Sequence, residues 1–206
     1  MVAAAVRQAF WLISLMLGVA VAQERTPLLA TPDQVTYQQA AGALSAGRAT
    51  EAFERFVESA RYGNKQAQKS IALLYMKGAG VPQDWARAYA WFRLAGSHGD
   101  DQILQAGDEV WNALKEEEKA HSSRIYQELV PGYGDAAALA LRRQWVKVQK
   151  RRVANGSQVS ALRVQLADAN GFSWELTGQE YLDLLDGYVQ GFGRQDLTDD
   201  APEVLN

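Results

Sequence analysis

Few side chains in this sequence have the type and spacing that metal binding or catalysis requires. The two histidines, His98 and His121, are far apart, and neither belongs to a cluster with metal-ligand spacing. Cysteine is absent from the chain, which excludes thiolate metal sites and disulfide bridges. Glu116, Glu117 and Glu118 are consecutive, so on a helix they point in different directions and form no paired carboxylate site. We therefore predict no catalytic residue, no metal site and no cofactor.

The motifs of the common enzyme classes are also missing. Gly78-x-Gly80 lacks the third glycine of a dinucleotide fingerprint and lies between two predicted helices, which disfavours a phosphate-binding loop. The sequence contains no nucleophile elbow and no zinc-binding helix. A hydrolase or an enzyme-modulating subunit is the least favoured function, and it would require that replacing both histidines by Ala abolish an activity.

Positive charge is densest in one segment that we predict to be helical. It contains Arg142, Arg143, Lys147, Lys150, Arg151 and Arg152. One interpretation is a basic patch for an anionic lipid, a polyanionic polymer or an acidic partner. The other, which we favour, is a solvated helix face with favourable positive charge near its C-terminal end. The net charge of −3 and the absence of a recognised motif argue against a nucleic-acid partner.

A second group of candidate contact residues combines aromatic rings with arginine. Aromatic and arginine side chains supply most of the binding energy of protein interfaces. One short segment carries several of them, and we predict that its candidate partner-binding residues are Trp85, Arg87, Tyr89 and Arg93.

An internal repeat predicts the elements that position these residues. The run Ala52-Phe53, with Gly63-Asn64 after it, recurs 36 residues later as Ala88-Tyr89 with Gly99-Asp100. A fixed offset of this size is typical of stacked two-helix units.

Apolar residues at three- and four-residue intervals predict the individual helices. The first begins at Thr31, which we expect to cap it in a box with Gln34, places Val35 on its apolar face and stops near Gly47. A second helix runs from about Ala49 to 63, and the pair that follows is joined by the loop 77–84. We expect Trp91 to be buried between helices.

The second pair resembles a known family. Gly78-x-Gly80-Val81-x-Gln83-Asp84, followed by Ala88, Trp91, Ala95 and Gly99, is similar to the Sel-one-like repeat, a relative of the tetratricopeptide repeat. The unit at 37–66 is degenerate, and the helix near 103–114 begins like a repeat but lacks the glycine loop. The resemblance implies a mainly α fold, a short right-handed α-solenoid of stacked antiparallel helix pairs with a concave face. It also implies a non-catalytic adaptor or scaffold.

Downstream of the repeats we predict closing elements. A break at 129–134 precedes a helix from Asp135 to about Lys150, with Ala140, Leu141, Trp145 and Val148 on its apolar stripe, so 33–152 is the helical repeat region with its capping helices. Alternating residues at 159–166 and 172–176 predict a β-hairpin, and the capping box from Thr177 starts a helix over it. This hairpin-helix element spans 153–193.

The two ends of the chain differ from this region in composition. Residues 1–22 combine Arg7, an apolar run and Ala20-Val21-Ala22, which predicts a signal peptide cleaved before Gln23, with a retained anchor as the alternative. Residues 23–32 are a leader segment, and 194–206 form an acidic tail that we expect to be flexible. One hypothesis is that this tail shields the basic cluster.

The sequence therefore favours an exported protein, periplasmic or secreted, of a Gram-negative-type envelope. We predict a non-catalytic protein-protein interaction or scaffold module that binds a partner of unknown identity on the concave face of the stack. The alternative is an envelope-surface or polysaccharide-associated accessory protein that makes peripheral contact with an anionic surface through its basic helix, 142–152.

Overall fold

The computed structural model describes residues 29–154, 163–167 and 173–192. Its elements, in chain order, are α1 (Pro32–Ser45), α2 (Ala49–Arg61), α3 (Lys65–Lys77), α4 (Trp85–Ala95), a 3₁₀ turn (Gly96–His98), α5 (Asp101–Ala113), α6 (Glu116–Tyr133), α7 (Asp135–Ala154), β1 (Arg163–Ala167), β2 (Ser173–Thr177) and α8 (Gly178–Gln190). The predicted signal peptide, most of the leader segment and the tail 194–206 lie outside the described residues.

Helices α1 to α5 pack in chain order, each against the next. Their connections are short, which makes neighbouring helices antiparallel. The predicted fold class, a mainly α stack of helix pairs with a small hairpin and a helix at the C-terminal end, is confirmed. Within the described ranges, no helix is both long enough and apolar enough to cross a bilayer.

Residues 36 positions apart take equivalent places in successive pairs. Ala52 and Ala88 are both fully buried, and so are Phe56 and Phe92. Small residues at one position let neighbouring helices approach, and a ring at the other fills the space between them. The repeat in the sequence is therefore a repeat in packing.

The turns between pairs are equivalent as well. Gly63 and Gly99 both adopt left-handed backbone angles, with φ of 78° and 84°. The residue after each glycine caps the next helix: Asn64 accepts a hydrogen bond from the backbone of α3, and Asp100 accepts one from the backbone of α5. Such a cap satisfies backbone donors that would otherwise lack a partner.

An aromatic pair also repeats with the same offset. The rings of Phe53 and Tyr75 lie 5.4 Å apart, and those of Tyr89 and Trp111, each 36 residues further along, lie 4.7 Å apart. The first pair joins α2 to α3 and the second joins α4 to α5. Pairs of this kind add to the stability that burial alone provides.

The glycine loop before α4 is held at several points. A Cβ atom on Gly80 would come within 2.5 Å of the backbone of Ala49, so glycine is required where this loop meets the start of α2. Gln83 donates from its amide to the Met76 carbonyl, and Asp84 caps α4 by accepting from the backbone N–H of Arg87.

The start of α1 differs from the prediction. Thr31 makes no side-chain capping bond, so the expected box with Gln34 does not form. Val35, expected on the apolar face, is exposed, while Asp33 is buried. The helix is rotated because the Asp33 carboxylate has partners inside the protein.

Helix α6 folds back along the stack instead of starting another layer. It packs against α4, where Ile125 meets the small residues Ala86 and Ala90. The predicted break at 129–134 is confined to its last residue, because α6 continues through Pro131 to Tyr133 and only Gly134 separates it from α7. Its C-terminal end therefore reaches the α2–α3 junction.

Helix α7 buries a different face from the predicted one. Ala138, Arg142 and Val146 are buried, whereas Val148 is exposed. The predicted apolar stripe of α7 is therefore wrong. The buried face of the helix includes Arg142, a charged residue whose partners are also buried. Trp145 instead packs edge-on against Tyr188 of α8.

Strands β1 and β2 form an antiparallel pair in which Val164 faces Leu176 and Leu166 faces Trp174. The predicted hairpin is confirmed over these two five-residue strands, while its turn lies outside the described residues. Helix α8 starts with the predicted capping box at Thr177. It packs against the hairpin and also against α7, so it links the hairpin to the stack.

Candidate functional site

Most residues of helix α4 are buried by its neighbours, and one of its exposed faces carries aromatic and basic side chains. Helices α3, α5 and α6 pack around it. Residues four apart on a helix share a face, and on α4 the exposed and half-buried positions Trp85, Tyr89 and Arg93 follow this spacing. We call these three residues the α4 strip. Its largest exposed ring is that of Trp85, which is 37% exposed.

Side chains of the neighbouring helices extend the strip on both sides. The Tyr89 ring lies 4.7 Å from the ring of Trp111 on α5. The Arg93 guanidinium lies 4.2 Å from the ring centre of Tyr126 on α6. The strip therefore continues onto α5 through the ring of Trp111 and onto α6 through the ring of Tyr126.

Arg87, which the sequence analysis grouped with these residues, lies on another side of α4. Its guanidinium is 3.6 Å from the Asp84 carboxylate and 5.9 Å from the ring centre of Tyr75 on α3. At about 100° per residue, position 87 faces away from positions 85 and 89. Arg87 is therefore no part of the strip.

The basic residues of α7 surround a cleft between α7 and α8. This α7–α8 cleft has a volume of about 390 Å³, and its lining residues are Arg143, Val146, Lys147, Lys150, Arg151, Asp186 and Val189. Four cations and one carboxylate thus face a floor that includes two valines. Arg152 lies outside the cleft. Part of the predicted basic patch therefore borders a cavity.

The ion pairs of the cleft leave most of its positive charge uncompensated. Lys150 donates to the Asp186 carboxylate at 2.6 Å. Among the residues that the structure describes, no carboxylate pairs with Arg143, Lys147 or Arg151. The cleft therefore carries the charge that an anionic group would match.

Arg142, predicted as a member of the basic patch, is instead buried. Its guanidinium donates to the Asp33 carboxylate at 3.0 Å and to the Tyr62 carbonyl at 2.7 Å. The Tyr188 hydroxyl donates to the other oxygen of Asp33 at 2.7 Å. Burial and the nearby Asp33 charge raise the pKa of Tyr188 well above its usual range, so this hydroxyl stays protonated.

This buried network ties α1 to α7 and α8. The Asp33 and Arg142 side chains are 2% and 4% exposed. The Arg142 guanidinium also lies 4.3 Å from the ring centre of Tyr188 and 4.4 Å from that of Phe192. No sequence pattern links residues as far apart as Asp33 and Arg142. The role of the network is structural.

A second polar cluster brings together residue types that occur in hydrolases. Lys65 donates to Ser97 at 2.8 Å, to Asp135 at 2.7 Å and to the carbonyl of Leu94 at 3.2 Å. His98 lies 3.3 Å from the same Asp135 carboxylate. The His98 side chain is 12% exposed, so it is a largely buried partner of Asp135.

The protonation states of this cluster follow from its contacts. Burial lowers the pKa of Lys65, although hydrogen bonding to Asp135 and its charge act in the opposite direction. Burial and the Lys65 charge lower the pKa of His98. For Asp135, burial raises the pKa, but the hydrogen bond and charge of Lys65 outweigh it and the net shift is downward. The Lys65 ammonium group donates its hydrogen bonds to acceptors within the protein. The cluster is therefore better suited to holding the helices together than to acting as a general base.

Metal binding has no obvious location in the described ranges. There, no group of three or more histidine, cysteine, aspartate or glutamate side chains is arranged to hold a metal ion. His121, the other histidine, is exposed on α6.

The fold and these surfaces define the class as a helical-repeat protein. Searches found no matching family model and no matching curated protein. A search of solved structures found similarity to c5321, described as a protective antigen present in uropathogenic Escherichia coli strains displaying an SLR fold, that is, a Sel-one-like repeat fold. The TM-score is 0.46 and the identity 18%, over 64% of this chain and 27% of that one. This chain thus matches about a quarter of the length of that protein.

Proposed function

We propose that this protein is a non-catalytic protein-interaction module of the bacterial cell envelope and that it contacts a protein partner through the α4 strip. The observation that carries the proposal is the strip itself. It is one exposed face of α4, and it presents Trp85, Tyr89 and Arg93 to solvent. These are the residue types that dominate the energetics of protein interfaces.

The strip is also held in place before any partner arrives. Seven residues of α4 are buried among the neighbouring helices. Contacts with Trp111 and Tyr126 restrict the side chains of Tyr89 and Arg93. A surface that is ordered in advance loses less conformational entropy on binding, which favours affinity.

A location in the envelope is supported by the sequence alone. Residues 1–22 have the charged start, apolar run and small-residue cleavage pattern of a signal peptide. Export would place the strip where a periplasmic or secreted partner can reach it.

The non-catalytic part of the proposal rests on the Lys65 cluster. Its ammonium group is engaged by Ser97, Asp135 and the Leu94 carbonyl, so its hydrogen bonds are already made within the protein. A nucleophile needs an adjacent base with a free lone pair. The ion pair with Asp135 favours the protonated form of Lys65, which has no free lone pair.

The competing function is attachment to an anionic envelope surface or polysaccharide through α7. Burial of Arg142 and the ion pair of Lys150 remove two of the six predicted basic residues from such a surface. The cations that remain include those that border a cleft, a shape poorly suited to a planar surface. These observations favour binding of a protein partner through the α4 strip over attachment to an anionic surface through α7.

Capture of partners from an envelope fraction after chemical crosslinking tests the proposal. The strip variant combines Trp85→Ala with Arg93→Glu, and the matched control combines Arg143→Glu with Lys147→Glu. Loss of an interface hot spot costs about 2 kcal/mol or more, so we expect the strip variant to recover at least about tenfold less of a specific partner. The control should recover the same amount as the unmodified protein. Equal recovery with the strip variant and loss with the control would overturn the proposal in favour of surface attachment.

A further inference from the structure

Among the described residues, the carboxylates near the α7–α8 cleft do not balance its positive charge. Arg143, Lys147, Lys150 and Arg151 face it, and Asp186 supplies its one carboxylate. We propose that the cleft is a binding site for an acidic peptide segment and that its occupant is this chain's own segment 193–206. This site is separate from the α4 strip.

The arrangement of the cations on α7 is unfavourable without an anion. Lys147 is four residues from Arg143 and from Arg151, and three from Lys150, so like charges are neighbours on one helix face. The helix dipole favours positive charge only in the last turn. Because α7 ends at Ala154, that effect does not account for Arg143 or Lys147. An anionic occupant does.

The shape of the cleft indicates a peptide instead of a single anionic group. From Arg143 to Arg151 the row of cations extends over about 12 Å of helix. Four residues of extended chain span about 13 Å. Charges spread along a line match a segment with several carboxylates, whereas a lone phosphate needs donors that converge on one point.

Segment 193–206 has the complementary composition. It carries four carboxylates, at Asp196, Asp199, Asp200 and Glu203, and one cation, Arg194. Its excess of three negative charges equals the excess of positive charge in the cleft. Leu197 lies among these carboxylates, and the floor of the cleft offers Val146 and Val189 to an apolar side chain.

The segment also starts close enough to reach the site. Phe192, the last described residue before it, contacts the Arg142 guanidinium on α7 and the ring of His98. Arg143, the first cation of the cleft, is the next residue along α7. Asp196 is four residues beyond Phe192, which is about 13 Å of extended chain.

A labelled peptide with the sequence of residues 194–206 tests the inference by fluorescence anisotropy. Its binding is measured to the full chain and to a full-length neutral-tail variant, Asp196→Asn, Asp199→Asn, Asp200→Asn and Glu203→Gln. A segment joined covalently to the protein close to its binding site has an effective concentration on the order of 1 mM, so a peptide with a dissociation constant on the order of 100 µM is competed about tenfold. We expect the neutral-tail variant to bind the peptide about tenfold more tightly than the unmodified chain.

Charge changes in the neutral-tail background locate the site. Arg143→Glu with Lys147→Glu should weaken peptide binding more than tenfold, and the milder pair Arg143→Gln with Lys147→Gln should weaken it in the same direction. Arg152→Glu, on the same helix but outside the cleft, is the matched control and should change binding less than twofold. Circular dichroism of each variant verifies that α7 is intact.

Several outcomes would overturn the inference. Equal peptide binding by the unmodified and neutral-tail chains would mean that the cleft takes an acidic segment from another protein. A dimer of the unmodified chain that dissociates in the neutral-tail variant would assign the segment to a second copy. Binding to vesicles of phosphatidylglycerol that requires Arg143 and Lys147 and is unaffected by the tail would make the site a membrane contact. None of these results bears on the α4 strip, which is tested by its own variants.

Discussion

Replacing Arg142 by Ala should remove the strongest tie between the first helix and the last two. Arg142 donates to Asp33, to Tyr62 and, at 3.3 Å, to the Tyr188 carbonyl. The substitution leaves the Asp33 carboxylate buried without its counter-charge. It also removes the cation from between the rings of Tyr188 and Phe192.

The expected cost follows from the burial of both partners. Removing one member of a buried ion pair destabilises a protein by about 3–5 kcal/mol, because the remaining charge is uncompensated. Asp33 keeps a hydrogen bond from Tyr188, so its carboxylate is not left without any donor. We therefore expect about 3 kcal/mol for Arg142→Ala. Arg142→Lys should cost less than Arg142→Ala because lysine keeps the positive charge. It should still destabilise the protein because an ammonium group lacks the planar fork of donors of a guanidinium group.

Urea unfolding followed by circular dichroism measures these changes. Arg143→Ala, at the next position but facing the cleft, is the control and should alter the free energy of unfolding by no more than about 0.5 kcal/mol. In a double-mutant cycle with Asp33→Asn, the two effects should be less than additive, since both changes remove the same contact. A loss below about 1 kcal/mol for Arg142→Ala, or full additivity, would refute the reasoning.

Three further predictions concern the stack. Trp91 is 4% exposed, so Trp91→Ala should cost about 3–5 kcal/mol in urea unfolding, and a loss below about 1 kcal/mol would place its indole at the surface. Gly80→Ala should destabilise more than Gly99→Ala, because both have positive φ but only Gly80 lies against the backbone of Ala49; equal midpoints would contradict this. Burial lowers the pKa of His98, so the unfolded state binds more protons and the stabilising contribution of its neutral form is lost as pH falls below its ordinary value of 6.5. Between pH 7 and pH 5 the unmodified chain should therefore lose more stability than His98→Gln, and parallel pH profiles would disprove it.

The repeat region was predictable because its signals are local or periodic. The 36-residue offset identified Ala52 and Ala88 as equivalent positions, and both are fully buried. Caps such as Asp84 and the box at Thr177 were recognisable because a capping side chain bonds within three residues of itself.

The fold-back of α6 to α8 was not predictable in the same way. It depends on contacts such as that between Asp33 and Arg142, which are 109 positions apart. Charged residues are rarely buried unless paired, and a pair so distant in sequence has no local pattern. The apolar stripes predicted for α1 and α7 are wrong for this reason, because the buried side of α1 contains Asp33 and that of α7 contains Arg142.

The candidate sites were predictable in composition but only partly in geometry. Spacing placed Trp85, Tyr89 and Arg93 on one face, whereas Arg87, two residues from each of its neighbours in the set, could not share it. The basic residues of α7 were evident from the sequence. Their arrangement around a cleft depends on where α8 packs, which no local signal reports.

Site-specific photocrosslinking tests the proposed interaction surface most directly. A photoreactive phenylalanine analogue placed at Trp85 on the α4 strip is compared, in the native envelope, with the same analogue at the exposed Val148 on α7. We expect an adduct of one defined mass from position 85, and we expect this adduct to disappear when Arg93→Glu is added. Position 148 should give no adduct of that mass. An adduct from position 148 with none from position 85 would contradict the proposal.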